Sequence, residues 1–160
     1  MGRLRLRPMS PDEFGPWRSF AIEEYAAETQ RNMLISAEAA RAKADGDFLR
    51  SLPDGLSTPG HWVNVAEDAD SGERIGILWH GPGFLGDPGT AWLFDIWIEE
   101  EFRGKGLGRK LMLLLEDEVR SLGKNRIELN VFGENERARS LYGSLGYSEM
   151  SRQLFKELPA

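Results

Sequence analysis

Residues 91–109 read AWLFDIWIEEEFRGKGLGR. The first eight form the most apolar run in the chain, with Asp95 as its one charged member, and such a run predicts a buried central strand. Three glycines and three basic residues follow between 103 and 109, and helical periodicity begins at Leu107. Glycine lets the backbone approach a ligand closely, and free amides at a helix start attract anions. This junction therefore predicts an anion-binding loop between a strand and a helix.

Periodicity predicts the remaining elements on both sides of this junction. Alternating residues predict strands at 3–7, 62–66, 74–79 and 127–131, and we expect a closing strand within 147–158. Helical patterns with capping residues lie at 10–29, 36–52, 107–122 and 135–146, and 81–89 has loop composition. The order β-α-α-β-β-β-α-β-α-β predicts an α/β (α+β) fold, with a central mixed, mostly antiparallel sheet flanked by helices.

Length and composition narrow the class of protein. The chain has 160 residues, and we expect residues 1–160 to form a single domain. It lacks cysteine and has two histidines, which excludes a disulfide framework, a thiolate metal site and a His-rich metal centre, so no metal is expected. No apolar run is long enough to span a membrane, and we expect a soluble, cytoplasmic protein without a membrane partner. His80, at the end of its strand, is expected at the surface.

Charge is distributed unevenly along the chain. The net charge is −6, which disfavours nucleic acid as a partner. Residues 61–102 contain nine acidic side chains and one basic one, whereas residues 103–160 carry a net charge of +3. This uneven charge has two interpretations. The charged residues form solvated faces of opposite sign, or the chain binds an anionic ligand near residue 103 and a cationic ligand near the acidic segment.

Two common phosphate-binding loops do not match residues 103–109. A Walker A loop requires Ser or Thr after its lysine, and none is present here. A Rossmann loop requires G-x-G-x-x-G, but Arg109 stands where its third glycine belongs. A nucleotide-dependent oxidoreductase is therefore a remote alternative.

The loop resembles the R/Q-x-x-G-x-G/A signature of the GCN5-related N-acetyltransferase (GNAT) family. Arg103 takes its first place, Gly106 its fourth and Gly108 its sixth. A second block, residues 135–147, resembles the family pattern N-x-x-A-x-x-L-Y-x-x-x-G-F/Y. The order and separation of both blocks match the family, which implies the GNAT fold and the use of acetyl-CoA as acetyl donor.

The resemblance also implies which residues contact acetyl-CoA. In this family the signature loop holds the pyrophosphate through backbone amides, and the fourth strand separates from the fifth so that pantetheine lies along it. A residue at the start of the following short helix contacts the cofactor arm. The implied cofactor-binding residues here are Ile96, Trp97, Ile98, Arg103, Gly104, Lys105, Gly106, Leu107, Gly108, Arg109, Asn135, Ala138 and Arg139. Asn135 also suits a helix N-cap.

Catalytic roles follow partly from the resemblance and partly from chemistry. The family implies that Tyr142 protonates the departing CoA thiolate, and a phenol with a pKa near 10 suits that role. Asp95 lies in an apolar strand, where burial would raise its pKa and make it a better base. Glu128 or an ordered water are the alternative bases. Because the chain has no cysteine, the acetyl group is expected to pass directly to the acceptor.

The acceptor is the least defined part of the prediction. The acidic middle segment favours a small basic amine, such as a polyamine, an amino sugar or a lysine-like amine. The alternatives are a non-catalytic module that binds acyl-CoA, or a protein N-acetyltransferase. Many family members dimerise, so the resemblance is also compatible with a homodimer.

Overall fold

The computed structural model describes residues 3–159. Its five strands are β1 (Leu4–Pro8), β2 (Trp62–Asp68), β3 (Arg74–Pro82), β4 (Thr90–Ile98) and β5 (Arg126–Leu129). They form one sheet in the order β1-β2-β3-β4-β5, in which β4 and β5 are parallel and the other neighbours are antiparallel. The predicted mixed, mostly antiparallel sheet is confirmed.

Four α-helices flank the sheet, and these are α1 (Pro11–Met33), α2 (Ala37–Ser51), α3 (Leu107–Ser121) and α4 (Glu136–Ser144). Helix α1 begins with a capping box, in which Glu13 accepts a hydrogen bond from the backbone N–H of Ser10 at 2.9 Å. Two short 3₁₀ turns lie at Gly55–Ser57 and Glu100–Phe102. No helix within residues 3–159 is long and apolar enough to cross a membrane.

The sheet separates two apolar layers. On one face, α1 and α2 pack over β2 and β3 through Trp17, Ile22, Phe48, Val65 and Trp79. On the other face, α3 buries its apolar stripe, which consists of Leu107, Leu111, Met112, Leu115 and Val119. These positions recur at helical spacing in the sequence, so one stripe both forms the helix and fixes its packing face.

Two sequence predictions are wrong. Residues 147–159 form no strand in the described part of the chain, and Leu154, Phe155 and Leu158 are largely exposed. Their spacing of one and three residues does not alternate, so they present no single apolar face to a sheet. His80 is fully buried rather than at the surface, since its ring stacks on Trp62 at 5.1 Å and its Nε2 lies 3.5 Å from a Glu118 oxygen.

Candidate active site

Strands β4 and β5 separate part-way along the sheet. Their pairing runs from Thr90 opposite Arg126 to Leu93 opposite Leu129 and then stops. Beyond Leu93 the β4 strand continues to Ile98 with β3 as its neighbour, and no strand within residues 3–159 pairs with its other backbone edge. The separation expected from the family resemblance is confirmed.

An irregularity in β4 coincides with this separation. Trp79 pairs with Asp95 whereas His80 pairs with Leu93, which leaves Phe94 as an extra residue. Beta-bulges of this kind redirect side chains and are frequent beside active sites. Here Phe94 and Trp97 pack on the α1 side of the sheet, and Asp95 lies near Trp17 on that side too.

The loop between β4 and α3 is open to a ligand on its glycine side. Gly104 and Gly106 have φ values of +77° and +74°, which favour glycine. A Cβ atom at either position would meet nothing within 4 Å. Gly106 is the N-cap of α3 and supplies no side-chain cap, so the amides of the first turn remain available as donors. Free amides at the positive end of a helix dipole fit a pyrophosphate.

The basic side chains of this loop also brace it. Arg103 Nε donates to the carbonyl oxygen of Ile98 at 2.9 Å, and its guanidinium lies 4.4 Å from the Trp97 ring centroid. Lys105 Nζ donates to the Glu101 carbonyl oxygen at 2.8 Å. Arg103 therefore holds the loop against the C-terminal end of β4, and its guanidinium adds positive charge to the loop.

The second motif block, residues 135–147, spans α4 from its N-cap to just beyond its last turn. Asn135 is the N-cap, and its Oδ1 accepts a hydrogen bond from the Ala138 N–H at 3.1 Å. Arg139 Nη1 donates to the Gly133 carbonyl oxygen at 3.2 Å, and Arg109 from α3 donates to Ser144 Oγ at 2.8 Å. The capping role of Asn135 is confirmed, and its contact with a cofactor stays a prediction.

Asp95 lies close enough to Tyr142 for its charge to act on the phenol, and the charge of Glu28 acts on both. Burial raises the pKa of Asp95 to about 6; the indole N–H of Trp17 opposes this effect, and the charge of Glu28 adds to it. The pKa of Tyr142 is raised by burial first, and then by the charges of Asp95 and Glu28. A carboxylate that titrates near 6 is suited to accept a proton at neutral pH, and a phenol that stays protonated is suited to donate one.

Glu28 is a member of this cluster that the sequence analysis did not identify. It lies on α1, is partly buried, and has a pKa raised by that burial. With Arg31 and Asn32 it lines a cavity of about 240 Å³, whose other wall is Phe132, Glu134 and Asn135 before α4. In the sequence, only the helical spacing of residues 28, 31 and 32 indicates that these polar side chains share one face. That spacing is also typical of a solvated helix face.

Glu128, the alternative base, is engaged elsewhere. Its Oε1 forms an ion pair with Arg126 Nε at 2.7 Å. Both residues line a different cavity of about 180 Å³, together with Leu85, Asp87 and Met150. This arrangement favours Asp95 as the base.

The fold and the two motif blocks agree with a comparison against known families. Residues 20–147 match the model of the Acetyltransferase (GNAT) family. This match covers most of the chain, and the protein therefore belongs to the GNAT family of N-acetyltransferases. Members of the family use acetyl-CoA as acetyl donor.

Individual relatives match the chain nearly end to end. The uncharacterized N-acetyltransferases YdgE and YycN of Bacillus subtilis are each 29% identical to it, over 96% and 97% of this chain and 97% and 99% of their own lengths. The crystal structure of YycN superposes with a TM-score of 0.91 at 28% identity and covers 99% of this chain and 100% of that one. Thialysine N-epsilon-acetyltransferase of Bos taurus is 30% identical over 73% of this chain and 67% of its own.

Proposed function

We propose that the chain transfers the acetyl group of acetyl-CoA directly to a primary amine of a small, basic acceptor. The observation that carries this proposal is the alignment of three features along β4. Its unpaired backbone edge begins after Leu93, the carboxylate of Asp95 follows it, and the glycine loop closes the far end. A thioester laid along this edge, with its pyrophosphate at the loop, would be brought towards Asp95 and Tyr142.

The proposed cofactor contacts divide into two groups. Backbone groups of Ile96, Trp97 and Ile98 bind the pantetheine arm, and residues 103–109 bind the pyrophosphate. Asn135, Ala138 and Arg139 lie at the start of α4, where they would flank the arm from the opposite side. The open space over Gly104 and Gly106 supports this assignment, because a phosphate must approach the backbone closely to accept its hydrogen bonds.

The proposed reaction needs one base and one acid. Asp95 accepts a proton from the acceptor ammonium group, and the freed amine nitrogen attacks the thioester carbonyl carbon. The new C–N bond forms as the C–S bond breaks, and Tyr142 gives its hydroxyl proton to the departing sulfur. The second nitrogen proton returns through the site to Tyr142, so the products are an amide, the CoA thiol and one proton.

A small basic acceptor is supported by the charges around the site. Glu28 and Asp95 place two carboxylates beside the region where the amine must lie, and such a site attracts cations. One relative is named for acetylation of thialysine, a small lysine-like amine. Neither a non-catalytic acyl-CoA module nor a protein N-acetyltransferase gains support from the relatives that match most of the chain.

A screen of amines that detects released CoA thiol tests the proposal. We expect polyamines, amino sugars or lysine-like amines to release thiol at a rate that depends on both enzyme and amine, with a product heavier by one acetyl group in mass spectrometry. The Tyr142→Phe variant is the matched control for thioester hydrolysis unrelated to the site. Acetyl-CoA binding without acetylation of any basic amine would contradict the proposal.

A further inference from the structure

Glu28 is an acidic side chain on α1 that the structure buries in part. Among residues 3–159, no hydrogen bond or salt bridge engages its carboxylate, although Asn32 Nδ2 donates to its backbone carbonyl at 2.9 Å. Arg31, one turn later, acts on it only as a nearby charge. Partial burial removes some of the water that solvates this carboxylate, and a cationic ligand would offset that loss.

The position of Glu28 suggests what that ligand is. Glu28 lines the cavity between α1 and the segment before α4, and its charge acts on both Asp95 and Tyr142. The cavity wall also contains Glu134, the guanidinium of Arg31, two side-chain amides and the ring of Phe132, so two carboxylates stand against one cation. Such a wall suits a compact group that carries positive charge and donates hydrogen bonds.

We propose that Glu28 is the residue that binds the ammonium group of the acceptor and positions it for Asp95. This inference rests on the proposed function and deepens it, because it assigns recognition to Glu28 and proton transfer to Asp95. It also commits to the class of acceptor: an aliphatic amine that is charged at neutral pH. An amine that is neutral at pH 7, such as an aromatic amine, gains nothing from Glu28.

The first experiment measures binding rather than turnover. Benzylamine and its neutral isostere benzyl alcohol are titrated by calorimetry into the protein saturated with CoA. We expect Glu28→Gln to weaken the binding of benzylamine at least about tenfold and to leave the binding of benzyl alcohol unchanged, because a partly buried charge pair is lost. Glu28→Asp, which keeps the charge, should recover part of the affinity. Glu23→Gln is the matched control, since it removes an exposed carboxylate from the same helix.

Steady-state kinetics distinguish a role of Glu28 in binding the amine from a purely structural role. For an aliphatic amine we expect Glu28→Gln to raise KM about tenfold and to change kcat much less. The acidic limb of kcat/KM should also shift to lower pH, because the Glu28 charge raises the pKa of Asp95. The charged groups that act on Glu28 are Arg31 and Glu24, and Tyr142 is the other titratable group on which both Glu28 and Asp95 act.

Different results would overturn the assignment of Glu28 and the proposed acetyltransferase function. If benzylamine does not bind the wild-type protein, or if Glu28→Gln affects it no more than Glu23→Gln does, the assignment of Glu28 is wrong. An equal loss for benzylamine and benzyl alcohol would also overturn it, since that result indicates a distorted cavity. If benzylamine binding depends on Glu28 but no amine is ever acetylated, the assignment of Glu28 stands and the proposed function fails.

Discussion

Replacing Asp95 with Asn should remove activity and increase stability at the same time. The structure raises the pKa of this carboxyl from 3.8 to about 6 through burial. A shift of about two pKa units corresponds to roughly 3 kcal/mol of differential interaction between its two protonation states. Because the folded pKa lies above the unfolded one, the native state binds the extra proton between pH 4 and 6. Stability is therefore lost as pH rises through this window, and at pH 7 the ionised side chain is a cost.

The activity follows the opposite trend. A base with a pKa of about 6 is roughly 90% ionised at pH 7 and roughly 10% ionised at pH 5, so kcat/KM should fall about tenfold between these values. Asp95→Asn should lower kcat/KM by about 10²–10⁴ at pH 7, the usual contribution of a general base. Part of the activity should return near pH 10, where an aliphatic amine loses its proton unaided.

Two assays read these effects. Release of CoA thiol from acetyl-CoA with a primary amine that the protein acetylates, measured from pH 5 to 10, gives the rate. Urea unfolding at pH 4 and pH 7 gives the stability. We expect Asp95→Asn to unfold at the same or higher urea concentration than the wild type at pH 7. Glu128→Gln is the control, since its ion pair with Arg126 holds it away from this role. Full activity of Asp95→Asn at pH 7 would refute the reasoning, and loss of activity in Glu128→Gln alone would make Glu128 the base.

Three further changes test the acid, the loop and the core. Tyr142→Phe should retain acetyl-CoA affinity in calorimetry and lower the chemical rate by about 10²–10⁴; an unchanged rate would leave Tyr142 a packing residue. Gly108→Glu should abolish CoA binding without unfolding, because its Cβ would meet only Leu141 Cδ2 at 3.4 Å while its carboxylate repels a phosphate; wild-type affinity in the folded variant would displace the loop assignment. Leu111→Ala should reduce the free energy of unfolding by about 2–5 kcal/mol in urea titrations, because the side chain is fully buried, and a loss as small as that expected at an exposed leucine would contradict the packing of α3.

Local pattern in the sequence was sufficient for most of the fold. Each of these predictions concerns a single element and uses only residues a few positions apart. Examples are the alternation in residues 62–66 and 74–79 and the helical stripe from Leu107. The two motif blocks placed the glycine loop and Asn135 for the same reason. The final segment shows the limit of this approach, because exposed Leu154, Phe155 and Leu158 carry no period that reveals whether a sheet edge accepts them.

Tertiary packing decided what local pattern could not express. The sequence contained Glu28, Asp95 and Tyr142 as an unremarkable helix acid, a strand acid and a motif tyrosine, far apart along the chain. The charge of Glu28 on α1 acts on both Asp95 on β4 and Tyr142 on α4, and the raised pKa values of all three come chiefly from burial. His80 is a further case, since it lies within β3, where it stacks on Trp62 and approaches Glu118 and is fully buried. Periodicity along a chain predicts which face of a helix or strand a residue occupies. The distance between side chains on different elements, and the exclusion of water around them, depend on how those elements pack.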